Sequence, residues 1–262
     1  MGTAWIEGAI RSGRVAAEEV TGVDSWQDAL SQFTQATGAR ASSDMAAVTG
    51  CEVILLCTKP RDVPSALREL ALASADQSVL VISIAAGIPL SALEAAASAS
   101  MRVIRAMPNT PAAIGRGAAA YCLGTRATPG DAQTAHMLLG SVGLAVEVPE
   151  RLMDAVTGLS GSGPAYVYQI IAALAEGGVG VGLPRAQALL LAAQTVLGAA
   201  AMVLESGEDP AVLSARVCSP GGTTLAGLAE LERHGLHAAL IDAVTAATRR
   251  AAELAKETAL IF

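Results

Sequence analysis

Aromatic side chains make up only 3% of this sequence and charged ones only 16%. With so few rings, the interior has to be built from small and aliphatic residues, and alanine, glycine and leucine abound. Cores of that kind favour closely packed helices. The low charge does not mean disorder, because 52% of residues are hydrophobic. That is far above what a chain without a packed core carries. Clustered lysine and arginine are also missing. With a net charge of -7, the sequence excludes nucleic acid as a partner. A small anion stays admissible, since backbone N–H groups hold one without net positive charge. The four cysteines (Cys51, Cys57, Cys122, Cys218) form no CxxC pair. They read as reduced, mostly buried thiols of a cytoplasmic protein. The start shows no basic-then-apolar leader pattern. Residues 189–202 are apolar but interrupted by Gln194, and shorter than the ~20 residues that span a bilayer. A buried core helix, with no membrane contact, is expected there.

The 262 residues suffice for one large domain or two ordinary ones. The first half alternates strand and helix patterns. Continuous apolar runs at 52–57 (EVILLC), 79–84 (VLVISI), 102–106 (RVIRA) and 145–148 (AVEV) suit strands covered on both faces. Helical patterns at 26–37, 61–73 and 129–139 lie between or before them. This order implies right-handed crossovers and a mainly parallel sheet. After about Pro149 strand signals vanish. Long Ala/Leu segments at 164–179, 184–205 and 236–258 follow, with Pro164 and Pro184 where a first helical turn tolerates proline. The expected architecture is an α/β domain over residues 1–149 and an all-helical domain over 150–262.

Three turns follow expected strands: Thr58-Lys59-Pro60, Ala85-Ala86-Gly87 and Pro108-Asn109-Thr110-Pro111. Ligands of open parallel sheets bind beyond the carboxyl ends of the strands, so these turns should line one crevice. Small residues at 85–87 admit a flat ligand against the backbone. Asn109 can both donate to and accept from a carboxamide such as nicotinamide. Ordinary strand–helix turns also favour Gly, Pro and Asn, and it is three in register that points to a site. Lys59 is equally a phosphate partner or a solvated cation. Cys218-Ser219-Pro220-Gly221-Gly222-Thr223-Thr224 precedes a helical run from near Leu225. It offers free N–H groups and three hydroxyls as a carboxylate cradle. A threonine N-cap would explain one hydroxyl only. Ser160-Gly161-Ser162-Gly163-Pro164 contains a G-x-S-x-G-like triplet, yet a nucleophile elbow needs a strand before it, and none is expected. Three histidines (His136, His234, His237) without an Asp partner make a zinc or serine-hydrolase site a poor reading.

With the stretches RAMPNTP (105–111), TGLSGSGPAY (157–166), GLPRA (182–186) and CSPGGTT (218–224) in view, the chain resembles the pyrroline-5-carboxylate reductase family over essentially its whole length. The resemblance implies an N-terminal Rossmann-like domain binding NADPH or NADH and a helical domain that interlocks in a homodimer. Larger rings of dimers occur in the family. It also implies reduction of the cyclic imine 1-pyrroline-5-carboxylate to proline. By carry-over, Ser219, Gly222, Thr223 and Thr224 hold the substrate, with Thr224 as the candidate catalytic group toward the ring nitrogen. Glu150 contacts the imino acid. Met1, Ser25, Thr58, Lys59, Pro60, Ala85, Ala86 and Asn109 face the cofactor.

The family opens with a strand and a glycine-rich turn, whereas this chain begins at the helix that follows them. The first strand is therefore expected to be missing from the sheet. Two readings stay open: a start assigned too late, or a real truncation leaving a non-catalytic dimeric module with impaired cofactor binding. Cofactor choice is open as well. Asp24 lies roughly 20 residues beyond Gly2, the place of a carboxylate for the ribose diol of NAD, while Ser25 beside it could meet a 2′-phosphate.

Overall fold

The computed structural model describes residues 2–74 and 77–259. They fall into two compact units, one of residues 1–162 with 245–262 and one of residues 163–244.

The first unit begins with α1 (Gly2–Arg11), β1 (Thr21–Val23), α2 (Gln27–Thr37) and β2 (Arg40–Ser42). Next come β3 (Val53–Leu56), α3 (Val63–Ala73), β4 (Val79–Ser83), α4 (Leu90–Ala96) and β5 (Met101–Met107). It continues through β6 (Gly117–Leu123), α5 (Pro129–Gly140), β7 (Gly143–Glu147) and the short α6 (Met153–Val156). Among the described residues, β1 and β2 pair only with each other, and the main sheet runs β3-β4-β5-β6-β7. The β3, β4 and β5 strands are parallel, with Leu56, Ser83 and Arg105 in register at their carboxyl ends.

Alternation along the strands sorts the core into two layers. Val79 and Val81 of β4 and Met101 and Val103 of β5 pack with Leu67 of α3 and Leu93 of α4. Leu80, Ile82, Ile104 and Ala106 face the other way, against Trp5 of α1 and Leu139 of α5. All five residues of β4 are buried, as a strand covered on both faces requires.

The β6 strand, GAAAYCL, has no counterpart among the expected strands. It joins β5 antiparallel and β7 parallel. Alanine is a weak strand former, and β propensity mostly reflects fit to half-buried neighbours, so this strand exists because of its partners. The cysteines also depart from expectation, since Cys122 alone is buried and Cys57 is exposed, although all four are free.

The second unit contains α7 (Gly163–Gly180), α8 (Arg185–Ser206), α9 (Pro210–Val217), α10 (Thr223–Arg233) and the first part of α11 (Leu236–Ala259). Its interior is three alanines, Ala175, Ala188 and Ala192, with Ile171 against them. Gly178 lets α7 and α8 approach, since a Cβ there would lie 3.2 Å from that of Ala188. The α8 helix is long and apolar enough, by length and composition, to cross a membrane, yet only 11% of that stretch is buried. The expected buried core helix is therefore corrected: Leu189, Leu190, Leu191, Leu197, Met202 and Leu204 stand exposed. Two helices meeting along an alanine seam cannot cover an apolar circumference on every side.

Candidate active site

The ends of β3, β4 and β5 carry the three expected turns, and register places them at one edge of the sheet. After β3 comes exposed Cys57, then Thr58, whose Oγ1 is buried without a hydrogen-bond partner. A buried hydroxyl without a partner is uncommon and calls for one. Beside it, α1 starts so close that a Cβ on Gly2 would lie 2.7 Å from Cys57 Sγ. The positive end of that helix therefore abuts the carboxyl end of β3, the arrangement dinucleotide sites use for pyrophosphate. Met1, assigned to the cofactor from sequence, lies outside the described residues. Lys59 is exposed and precedes the 3₁₀ turn Pro60–Asp62. It has no ion-pair partner among the described residues.

After β4, buried Ser83 accepts the Ala85 N–H at 3.4 Å, and Ala86 is exposed. Gly87 takes a φ of +74°, which favours glycine. The α11 helix passes behind it, with Leu254 Cβ 3.8 Å from where a side chain would begin. Ser25 follows β1 in the separate two-stranded sheet and is exposed, while neighbouring Asp24 accepts the Trp26 N–H at 2.9 Å.

The third turn differs from the sequence expectation in what its asparagine does. Asn109 is 8% exposed. Its Nδ2 donates to the Ser160 carbonyl at 3.0 Å, and its Oδ1 accepts the Ala118 N–H at 2.9 Å. Both ends of the carboxamide thus already hold protein backbone.

Glu150 heads a 3₁₀ turn, Glu150–Leu152, just after the sheet ends. Its Oε1 accepts the Leu90 N–H at 2.6 Å and lies 3.3 Å from Arg105 Nη1. Arg105 is 5% exposed and also reaches Asp154 at 3.6 Å. A guanidinium so buried is kept only with partners, and here two carboxylates tie α6 to the end of β5. Arg105 and Asp154 were not singled out from sequence, although an arginine inside an otherwise apolar strand pattern already asks for a counter-charge. Nearby Cys122 has its thiol pushed up to about 12, first by burial and then by Glu150, with Arg105 opposing. It is no nucleophile at neutral pH.

In the helical unit, the Cys218–Thr224 segment forms a turn closed by Gly222 N–H to Ser219 carbonyl at 2.9 Å. Gly221 adopts φ +70°, and a Cβ on Gly222 would collide with Ser219 Oγ. The helix α10 starts at Thr223, earlier than expected. Its N-cap is Gly222, with no side-chain capping bond. A threonine cap is therefore not what these residues provide. The first N–H groups of α10 remain without a capping side chain, and the hydroxyls of Thr223 and Thr224 stand on its first turn. Such an end attracts a carboxylate. The Gly161-Ser162-Gly163 triplet follows a π-helical turn, Thr157–Gly161, and not a strand, so it has no nucleophile-elbow geometry. No cluster of potential metal ligands occurs among the described residues.

Comparison with known proteins adds the following. Residues 150–254 match the family model described as pyrroline-5-carboxylate reductase dimerisation, and residues 1–87 match one described as NADP oxidoreductase, coenzyme F420-dependent. The pyrroline-5-carboxylate reductase of Methanosarcina acetivorans is 44% identical over 258 residues, covering 98% of this chain and 95% of that protein. The Synechocystis enzyme of the same name is 50% identical over 206 residues, 79% of this chain and 76% of its own. Among solved structures, the Coxiella burnetii pyrroline-5-carboxylate reductase superposes with a TM-score of 0.91 at 33% identity, covering 97% of this chain and 94% of the other. A Plasmodium falciparum pyrroline carboxylate reductase with NADP bound gives 0.85 at 29% identity, with the same coverage.

Proposed function

The chain belongs to the pyrroline-5-carboxylate reductase family, and we propose that it reduces 1-pyrroline-5-carboxylate to proline with NADPH or NADH. The observation carrying this reading is the whole-length likeness to the Methanosarcina acetivorans reductase. The chain is accordingly an oxidoreductase, and its bond type is the C=N of a cyclic imine.

The first unit fits a dinucleotide. A helix N-terminus abuts the end of β3, an unpartnered buried Thr58 hydroxyl lies beside it, and alanines at 85 and 86 leave room for a flat ring. Thr58, Lys59, Pro60, Ala85 and Ala86 would hold the cofactor, with Ser25 beyond β1. When bound, it would supply the hydride that adds to the imine carbon, the ring carbon doubly bonded to nitrogen. The residues of this chain then have a limited task. The turn Ser219–Thr224 receives the substrate carboxylate on free N–H groups and hydroxyls. Thr224 hydrogen-bonds the ring nitrogen, which takes up the C=N electron pair as the C–H bond forms. Its hydroxyl orients the ring, and a protonated imine needs no further acid. Glu150, anchored by Arg105 and Leu90, adds a fixed negative charge favouring the iminium form.

We assign cofactor binding to residues 1–149 and substrate binding with dimerisation to residues 150–262. The exposed apolar faces of α7 and α8 support a homodimer, because a monomer seldom leaves so much apolar surface in water. The cytoplasm is the proposed setting, in keeping with four free thiols. The test is cofactor oxidation on adding 1-pyrroline-5-carboxylate, run with NADPH and with NADH. Saturable, imine-dependent turnover that yields proline is expected. No turnover with either cofactor, under conditions where one of them binds, overturns the reading.

A further inference from the structure

The π-helical turn Thr157–Gly161 is an unusual local structure in a segment rich in glycine and serine. One π-turn bond is visible directly, from Ser162 N–H to Thr157 carbonyl at 2.8 Å. Single π-turns are seldom kept by chance and recur at functional sites. This one has a specific weakness. If the chain continued as an ordinary α-helix, the Ser160 carbonyl would accept from the N–H four residues on. That residue is Pro164, which has none.

The missing donor comes from the sheet. Asn109 Nδ2 donates to Ser160 carbonyl at 3.0 Å, while Asn109 Oδ1 is fixed by the Ala118 N–H at 2.9 Å. Met107, two residues before Asn109, seats against Gly161 so closely that a Cβ there would come within 2.7 Å of its Cε. Two residues before that, Arg105 holds Glu150 and Asp154. Residues 105 and 107 project from one face of β5, and with Asn109 they grip the segment 150–161 at successive points.

Resting on the imine-reducing reading above, we propose that Asn109 is a positioning residue whose carboxamide replaces the N–H that Pro164 lacks and fixes the π-turn at the carboxyl end of β5. It acts through Ser160 and does not read the cofactor.

The experiment compares wild type, Asn109→Asp, Asn109→Ala and Asn109→Ala/Pro164→Ala, measuring kcat and KM for the imino acid, the cofactor dissociation constant, and amide hydrogen exchange across residues 153–166. Asn109→Asp keeps the acceptor for Ala118 but points a carboxylate at a carbonyl. We expect a loss of kcat/KM on the order of 10- to 100-fold, as for modest misplacement of reacting groups, with cofactor affinity unchanged. As pH falls toward about 4 the Asp protonates and donates again, so its deficit relative to wild type at the same pH should narrow. Pro164→Ala returns an N–H to Ser160 and should recover part of the Asn109→Ala loss, giving a non-additive cycle. Cofactor affinity falling in step with kcat/KM, with no relief from Pro164→Ala, overturns the proposal. So does faster exchange with unchanged kcat/KM, which would make the contact merely structural. The exchange data judge the clamp whatever the substrate: unchanged exchange in Asn109→Ala sinks it, whereas an inactive wild type sinks the assigned reaction instead.

Discussion

Replacing Asp131 by asparagine tests whether one charge holds α5 onto the sheet. Asp131 is 6% exposed. Its two oxygens accept Arg102 Nε at 3.1 and 2.9 Å, and Oδ2 also takes the Thr128 N–H and hydroxyl, both at 2.8 Å. Thr128 answers by accepting the Asp131 N–H at 3.2 Å, closing a capping box at the start of α5. Removing one partner of a buried pair costs about 3–5 kcal/mol. The lower end applies here, because the Arg102 side chain is 25% exposed and can rehydrate. Asparagine also keeps an acceptor for the cap. A loss of about 3 kcal/mol follows, or roughly 6–12 °C in Tm for a unit of this size.

The pH dependence sharpens the test. Burial alone would push the Asp131 carboxyl up, but hydrogen bonds from Arg102 and Thr128 outweigh it and hold the group below its ordinary value. A carboxyl lowered on folding stabilises fully above its unfolded value, near 4, and ceases to do so as pH falls through the folded one. Urea unfolding of wild type and Asp131→Asn at pH 7, 5, 4 and 3 should therefore show the full gap at pH 7 and a closing gap below about 4. A gap independent of pH, or one under about 0.5 kcal/mol at pH 7, would refute the argument that the ionised pair carries the stability.

Thr224→Ala should lower kcat/KM for the imine by about 10- to 100-fold with the fold intact, since it would remove the orienting hydrogen bond proposed for the reacting nitrogen; full efficiency in steady-state assays would show that the cradle is misassigned. Arg105→Met leaves Glu150 and Asp154 facing each other without their cation, and should cost about 2 kcal/mol in chemical denaturation, less than a fully buried pair because both carboxylates are partly hydrated; an unchanged midpoint would show that the cluster is idle. Cys122 and Cys57, both with thiols pushed up to about 12 by burial, the Cys57 sulfur against Gly2, should resist iodoacetamide at pH 8 in the native protein, and mass spectrometry locating the first label on Cys122 would contradict its burial. Leu190→Arg, placed on the exposed apolar face of α8, should turn the dimer into monomer on size-exclusion chromatography at micromolar concentration, and an unchanged elution volume would put the interface elsewhere.

Much of this was visible in the linear chain because the physics behind it is local. Apolar runs located β3, β4, β5 and β7 to within a few residues, but only β4 is buried throughout, while β7 is an edge strand with exposed positions and β5 carries the buried Arg105. Prolines at 164 and 184 marked helix starts because the ring limits where a helix can place it. The glycines and threonines of residues 218–224 foretold a helix end free of its own cap. What tertiary structure alone decided are relations between distant residues, whose partners no local pattern names. The alanine-rich β6 is a strand only because β5 and β7 flank it. The α8 helix looked like core material, yet three alanines fill the seam and its leucines face outward. Asn109 has the chemistry of a nicotinamide reader in sequence; in the fold its carboxamide meets Ser160, 51 residues on. The sequence determined which groups this protein could use. The fold decided which were already engaged, because a hydrogen bond depends on where the chain returns and not on the residue type alone.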